Sequence, residues 1–312
     1  ALSSAASDVY KRQNHYCSEK EELSMISKNT FIQTFKFDIR NSLRCNKWLI
    51  TGCIVLFIMA SLFIMNQSKT YSHQINSMRG YVQGDENYIS DELHVPDYLL
   101  FLYRGTPCIS KSNITNSNKT EIPVMYISLM IICCCITSRY LTSDICRISI
   151  HYSRTRTEWI ISKLICDFII LFIVLFSGVL ISIFYGKGSG GYNESILKKI
   201  MYIKQYNGSV KDFILLMLLF ILGAYTISVI QICISLAFSY IAGLLAALVI
   251  YISSIFSNNM LFIGNACMLQ RSNMFNDTGW NPSIYIIITL IILIITVVLT
   301  IMINSKTDYL NN

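Results

Sequence analysis

The ionisable side chains with the most informative arrangement lie at residues 139–163, between two long apolar runs. This segment is basic, because it holds five basic residues against two acidic ones: Arg139, Arg147, Arg154, Arg156 and Lys163 against Asp144 and Glu158. Its apolar residues recur at helical spacing, which predicts an amphipathic helix. Such a helix acts electrostatically. It can dock on an acidic protein surface or bind anionic lipid, and the sequence leaves both open.

Asp167 is an ionisable residue inside the apolar run 164–185, and a charge within a membrane is costly unless it is paired. Lys163 stands one helical turn earlier, at the spacing of an intrahelical ion pair. We therefore predict a structural Lys163–Asp167 pair, with a coupling role for Asp167 as the alternative. Gln231, in a later apolar run, is expected to hydrogen-bond between helices.

The sequence has no arrangement typical of a catalytic or metal site. It lacks the patterns G-x-x-x-x-G-K-[ST], H-E-x-x-H and G-x-S-x-G. Its four histidines lie outside the apolar runs, and its 11 cysteines form no C-x-x-C pair. We predict no catalytic residue, no metal and no cofactor on this chain. Whether Cys108 and Cys267, on the same predicted side of the membrane, form a disulfide is left open.

The composition is that of a membrane protein. Of 312 residues, 53% are hydrophobic and only 14% are charged, whereas soluble domains carry about 25% charged residues. The net charge of +7 then indicates basic segments beside the membrane, and nucleic acid is not expected as a partner. Frequent Ile, Asn and Lys are typical of an AT-rich bacterial genome.

Six apolar stretches are long enough to cross a hydrocarbon core of about 30 Å as helices. We predict an all-α integral membrane protein with a six-span domain at 49–304. The spans are 49–65, 122–138, 164–185, two within 213–257 that turn near 238–242, and 284–304. The fifth span carries two faces of small residues for close helix packing, Ala242/Ala246 and Gly243/Ala247.

Basic residues near the span ends favour the cytoplasmic side of the plasma membrane for both termini. This orientation makes 66–121 an outer loop and 305–312 a cytosolic tail. The outer loop is too long for a plain connection, and its apolar piece 95–103 is expected to pack on the spans or to dip into the outer leaflet. A second outer segment, 258–283, is expected to form a re-entrant or interfacial hairpin between the last two spans.

The N-terminal segment 14–48 is expected to be cytosolic, and residues 1–13 resemble a non-native translated junction. Residues 30–47 place apolar side chains on one helical face and Lys36, Arg40 and Arg44 on another. This pattern predicts an interfacial helix on the inner leaflet, in contact with membrane lipids. A simple anchor for the first span is the alternative.

Together these features resemble the permease subunit of a bacterial ABC-2 type transporter. The resemblance includes the interfacial helix, six spans, long first outer loop, cytosolic coupling helix between spans two and three, and hairpin between spans five and six. The local pattern resembles the family's acidic residue followed by S-R-x-x-x-x-x-x-x-K, here Asp144, Ser153-Arg154 and Lys163, with eight residues instead of seven between Arg154 and Lys163. The usual small residue after the acidic position is replaced by Ile145 and Cys146.

The resemblance implies a non-enzymatic subunit of an ATP-driven exporter. A separate ABC ATPase, carrying ATP and magnesium, would dock on the coupling helix through Asp144, Arg147, Arg154, Arg156, Glu158 and Lys163. A second permease copy or a homologous permease would complete the membrane pathway. The cargo would be amphipathic, such as a peptide antibiotic or a lipid-like molecule. A non-transporting sensor or immunity protein that uses loop 66–121 as its receptor is the alternative.

Overall fold

The computed structural model describes residues 30–79, 92–106, 123–142, 153, 155–186, 193, 210–257, 259, 262–275 and 279–306. These residues form α-helices and short 3-10 turns, with no β-strand among them, so the predicted all-α class is confirmed. The helices are α1 (Thr30–Arg79), α2 (Val95–Tyr103), α3 (Val124–Thr142), α4 (Arg156–Tyr185), α5 (Val210–Ala237), α6 (Tyr240–Phe256) and α7 (Pro282–Lys306). Two 3-10 turns, Ile263–Cys267 and Leu269–Arg271, lie between α6 and α7.

Four helices are long and apolar enough to cross a membrane. They are α1, α4, α5 and α7, whose candidate spans are Phe31–Ser77, Arg156–Tyr185, Asp212–Ala237 and Pro282–Ser305. The apolar parts of α3 and α6 are shorter, at Val124–Arg139 and Tyr240–Phe256. The structure therefore supports a membrane protein with four candidate spans among the described residues, and the predicted count of six stays a prediction.

Helix α1 corrects two predicted boundaries. The predicted interfacial helix, the first span and the start of the predicted outer loop form one helix of 50 residues. The sequence explains this length, because residues 30–79 contain no Pro and a single Gly, Gly52. The next residue, Gly80, is of the type that commonly follows a helix. The predicted outer loop therefore begins after Arg79, and residues 30–47 are not a separate helix.

The buried face of α1 changes character along its length. Its first half buries a polar row at four-residue spacing: Thr34, Asp38, Ser42 and Asn46. Further along, α1 buries Cys53, Phe57 and Ile64, which belong to the main hydrophobic core, together with three serines, Ser61, Ser68 and Ser72. This face packs against α3 and α4. Because one continuous helix carries both sets, their depths are fixed relative to each other.

Helix α2 packs inside the bundle, as predicted for residues 95–103. Tyr103 is 1% exposed, and its hydroxyl donates a hydrogen bond to the carbonyl of Leu175 in α4 at 2.5 Å. Its ring lies edge-on to Phe220 of α5, with centroids 4.9 Å apart, and it tilts against Phe57 of α1. Gly178 of α4 faces this cluster, where a Cβ atom would collide with Tyr103 and approach Phe57 Cζ to 3.1 Å.

Helices α5 and α6 form a tight hairpin. The turn at 238–239 lies where the sequence predicted it, and Ser239 caps α6 by accepting a hydrogen bond from the Ala242 N–H at 3.2 Å. Gly243 and Ala247 are buried, and a Cβ atom on Gly243 would collide with Ser235 of α5. The predicted close approach thus uses the Gly243/Ala247 face, while Ala242 and Ala246 are half-buried.

The segment after α6 folds back into the protein around a buried arginine. Arg271 is fully buried and donates hydrogen bonds to the carbonyls of Ile255 and Ser257, at 2.7 and 2.8 Å, and to that of Ser254. These carbonyls lie at the C-terminal end of α6, where a cation is favoured. The described part of the predicted outer hairpin is therefore packed in protein, and its re-entrant or interfacial position stays a prediction.

Cys267 in the same segment is buried as a free thiol. Its sulfur lies 3.7 Å from the carbonyl oxygen of Phe220 in α5. Cys108, the other member of the disulfide left open by the sequence, lies outside the described residues.

We predict opposite effects for two glycine substitutions. Gly178→Ala should lower the free energy of unfolding by about 1–3 kcal/mol, because the added methyl overpacks the Tyr103 cluster. Gly52→Ala is the matched control, since a Cβ there meets nothing within 4 Å. It should raise stability by up to about 1 kcal/mol through helix propensity. Unfolding curves in detergent measure both, and equal effects would contradict the described packing.

Candidate functional site

The candidate site lies at the N-terminal end of α4, where the segment 143–155 enters the bundle. Thr155 is the N-cap of α4: its hydroxyl oxygen accepts a hydrogen bond from the backbone N–H of Glu158 at 3.1 Å. Glu158 in the first turn also suits the positive end of the helix dipole. Capping fixes the start of α4, so the chain before it acts on a well-defined helix end.

A buried ion pair connects this end of α4 to α1. Lys163 Nζ lies 2.6 Å from Asp38 Oδ1, and the Ser162 hydroxyl donates to Asp38 Oδ2 at 2.6 Å. All three residues are at most 1% exposed. The ammonium group also lies 5.6 Å from the ring centroid of Trp159, at cation–π distance. Both carboxylate oxygens of Asp38 are thus satisfied, as a buried charge requires.

The predicted partner of Lys163 was therefore wrong. The prediction used the one-turn spacing to Asp167, but the ammonium pairs with a carboxylate on another helix. Sequence reasoning missed Asp38 altogether. A usable signal existed, because Asp38 is the sole acidic residue at 30–47 and belongs to the four-residue polar row of α1. Polar residues at helical spacing beside a span indicate a face that another helix covers.

Asp167 lies one turn further along α4, between α3 and α5. Thr137 Oγ1 of α3 lies 3.0 Å from Asp167 Oδ1, and Ser228 Oγ of α5 lies 2.6 Å from Asp167 Oδ2. The Thr137 and Ser228 hydroxyls also contact each other. Nearby, Gln231 donates to the Cys134 carbonyl at 2.9 Å, which confirms the predicted interhelical hydrogen bond. Asp167 therefore joins three helices.

Helix α7 also contacts the start of α4. The Asn304 side chain, 1% exposed, donates to the carbonyl of Arg156 at 2.9 Å. Around it lies a second hydrophobic cluster, separate from the main core: Trp159, Ile160 and Leu164 of α4 with Val229 and Ile232 of α5. Within about three turns, α4 is thus held by polar groups from α1, α3, α5 and α7.

The predicted docking residues lie in different environments. Arg156 is exposed at the start of α4, and Glu158 beside it is half-buried. Lys163 is buried in the ion pair, so it is not available on a docking surface, which corrects that assignment. Asp144, Arg147 and Arg154 lie outside the described residues. The ends of the predicted coupling helix 139–163 belong to other helices, because α3 ends at Thr142 and α4 begins at Arg156. The segment left between these two helices is 143–155.

A third buried carboxylate, Asp97, lies on the predicted outer side. Asp97 is fully buried and accepts hydrogen bonds from the backbone N–H groups of His94 at 2.8 Å and Asn193 at 3.1 Å. Burial raises the pKa of the Asp97 carboxyl, and these two hydrogen bonds oppose that rise. Asp97 thus caps α2 and ties residue 193 to it. Among the described residues, no group of three or more His, Cys, Asp or Glu side chains could hold a metal ion.

Comparisons with known proteins returned no match: no family model, no curated protein and no solved structure is similar enough to this chain to align significantly. The function of the chain is therefore inferred from its residues and their geometry, together with the predicted resemblance described above.

We predict strong coupling between Asp38 and Lys163 in a double-mutant cycle. Asp38→Asn and Lys163→Met should each cost about 3–5 kcal/mol of unfolding free energy, because each leaves a buried group without its partner. The double variant should cost far less than the sum of the two. Lys36→Gln, at an exposed position of α1, is the control and should be near neutral. Additive losses in the cycle would mean that the pair is not formed.

Proposed function

We propose that this chain is the permease subunit of an ATP-driven exporter of the ABC-2 type. In this proposal α3 and α6 complete a set of six spans, both termini lie in the cytoplasm, and a separate ATPase docks on the segment between α3 and α4. The observation that carries the proposal is the polar anchoring of α4 beside that segment. The contacts come from Asp38 of α1, Ser228 of α5 and Asn304 of α7.

This anchoring suits the transmission of mechanical work. Helix α4 is a continuous helix of 30 residues, so a displacement at Arg156 acts along its whole length. Sliding α4 past α1 would separate the buried ion pair, which is expensive in a low-dielectric interior. A push on the segment 143–155 would therefore move α1 and α4 together and change the packing of α3, α5 and α7 around them.

The charge distribution suits an acidic docking groove. Arg156 is exposed at the end of α4, and the sequence adds Arg147 and Arg154 just before it. Lys163 no longer contributes to this surface, so the proposed contact residues are Asp144, Arg147, Arg154, Arg156 and Glu158. Basic residues facing an acidic partner speed association and fix its orientation. A contact with anionic lipid alone is the competing explanation.

The proposed cargo is amphipathic, either a peptide antibiotic or a lipid-like molecule. The buried polar residues of the spans are engaged in helix–helix contacts such as Asp38–Lys163 and Gln231–Cys134. Many of the remaining side chains on the span surfaces are apolar, with exposed examples at Phe172, Phe176 and Leu180 of α4. Such surfaces suit an apolar or amphipathic molecule better than a sugar or an ion.

Co-purification tests the proposal directly. The chain is expressed together with its genomic neighbours, and we expect an ABC ATPase among them to purify with it from detergent. Arg154→Glu with Arg156→Glu should reduce the recovered ATPase at least tenfold while membrane insertion is unchanged, because the reversed charges repel an acidic groove. Arg40→Glu, at an exposed basic position of α1, should leave recovery unchanged.

Two results would contradict parts of this account. Full recovery of the ATPase with the double Glu variant would show that the basic segment is a lipid contact. No ATPase recovered with the wild-type chain, despite normal insertion, would overturn the transporter and favour the sensor or immunity protein.

A further inference from the structure

In the part of the chain that the structure describes, Asp167 is a buried carboxyl group without a cationic partner. It is 1% exposed, and within the described part of the chain its hydrogen-bond partners are the hydroxyls of Thr137 and Ser228. The nearest candidate on its own helix, Lys163, is engaged with Asp38. An ionised carboxylate without a cation is very costly in such a place, and the usual outcome is that the group becomes neutral.

The three oxygen contacts around Asp167 form a closed ring. Asp167 Oδ2 lies 2.6 Å from Ser228 Oγ, the Ser228 and Thr137 hydroxyls contact each other, and Thr137 Oγ1 lies 3.0 Å from Asp167 Oδ1. Each of these three contacts is short enough for a hydrogen bond, which uses one hydrogen atom. The two hydroxyls supply only two hydrogens, because each hydroxyl has a single O–H donor. A protonated Asp167 supplies the third.

The hydrogen count then balances around the ring. The Asp167 O–H donates to Ser228, the Ser228 O–H donates to Thr137, and the Thr137 O–H donates back to the carbonyl oxygen of Asp167. With an ionised carboxylate, one pair of oxygens would be in contact with no hydrogen between them. Thr137 Oγ1 also lies 3.3 Å from the Cys133 carbonyl oxygen. If the Thr137 O–H donated to this carbonyl, an ionised ring would have a single hydrogen for its three contacts.

The other titratable groups near Asp167 do not supply a positive charge. Cys133 of α3 and Tyr225 of α5 interact with it electrostatically, and both are neutral or negative groups. The Tyr225 hydroxyl donates to the Leu164 carbonyl at 3.2 Å and not to Asp167. On α1, Asp38 is already neutralised by Lys163. Among the described residues, no element packed against Asp167 thus supplies a cation in place of the proton.

A metal ion fits this ring less well than a proton. The carboxyl and the two hydroxyls offer four oxygen atoms, whereas Mg²⁺ and Ca²⁺ take about six to eight oxygen ligands. The Thr137 and Ser228 hydroxyls are also in mutual contact, which leaves no gap for an ion between them. Two hydroxyl oxygens in direct contact are instead arranged for a hydrogen bond, with a hydrogen atom between them.

We propose that Asp167 is a proton-binding site, a neutral carboxylic acid whose proton is shared in a ring with Ser228 and Thr137. Its O–H bond breaks when α3, α4 and α5 separate, and the proton then leaves to water while the carboxylate remains. The segment 143–155 joins α3 to α4, so movement of that segment acts on two of the three helices that close the ring. The proposal holds whether or not an ATPase docks there.

The polar row of α1 suggests a route for this proton. Helices α1 and α4 run parallel, because Asp38 meets Lys163 near their starts and Phe57 lies beside Gly178 further along. Ser42, one turn after Asp38, therefore lies at the depth of Asp167, one turn after Lys163. In the described part of the chain, the Ser42 hydroxyl and both polar atoms of the Asn46 side chain have no hydrogen-bond partner. Buried polar groups of this kind are commonly satisfied by water, which conducts protons.

Infrared difference spectroscopy of the full chain in lipid vesicles tests the proposal. At neutral pH, subtracting the spectrum of Asp167→Asn from that of the wild type should reveal the C=O band of one protonated carboxyl group. The band should shift in D₂O, because its proton is exchangeable. Glu92→Gln, at an exposed position outside the candidate site, is the control, and it should remove no such band. Asp167→Asn should fold normally, because its amide N–H₂ replaces the missing donor.

Three results would overturn the proposal. Loss of carboxylate bands in Asp167→Asn, with no change in the protonated region, would show that Asp167 is ionised. Loss of the wild-type band when sodium replaces choline in the buffer would assign the site to a cation. A band that fails to shift in D₂O would show that the proton does not exchange. Should Asp167→Asn fail to insert, the D₂O and sodium measurements on the wild-type chain decide between these outcomes.

Discussion

The buried ion pair between Asp38 and Lys163 is the contact on which the arrangement of the bundle depends. It joins two helices that are distant in sequence, because the paired residues are 125 positions apart. A buried charge without its partner is strongly destabilising, so each residue requires the other in one position. The pair therefore sets which depth of α1 faces which depth of α4. Ser162 completes it by occupying the second carboxylate oxygen of Asp38.

The other contacts of α4 follow from this register. At the near end, Asp167 is placed between Thr137 and Ser228, and Arg156 meets Asn304. At the far end, Gly178 gives Tyr103 the space to pack against α4. Polar contacts thus cluster at the start of α4, and aromatic packing dominates further along the helix. Helix α4 is thus held by contacts near both ends, as its proposed role in transmitting movement requires.

Sequence patterns predicted what depends on local composition. Apolar runs located α3 to α7, the apolar piece 95–103 was placed against the spans, and the small residues Gly243 and Ala247 marked a close approach. Gln231 was expected to bond between helices, as it does. Each of these features is visible within one segment, because hydrophobicity, side-chain size and helical spacing are local properties.

The sequence could not supply partners from other helices. Lys163 has a carboxylate one turn away in its own helix, and only the packing of α1 against α4 shows that a different carboxylate is its partner. The carbonyls around Arg271 come from residues as distant as Thr106, which no spacing rule connects to it. The interfacial helix at 30–47 was inferred from its basic and apolar faces, but that pattern does not reveal that α4 covers its polar row.

Hydrogen–deuterium exchange of the backbone amides at 156–167 tests the central claim, that Asp38 holds the start of α4 in the bundle. In lipid nanodiscs, we expect slow exchange of these amides in the wild-type chain and much faster exchange in Asp38→Asn, while the amides of α6 stay protected in both. This follows because loss of the pair frees the end of α4 for local opening. Unchanged protection of 156–167 in Asp38→Asn would contradict the account.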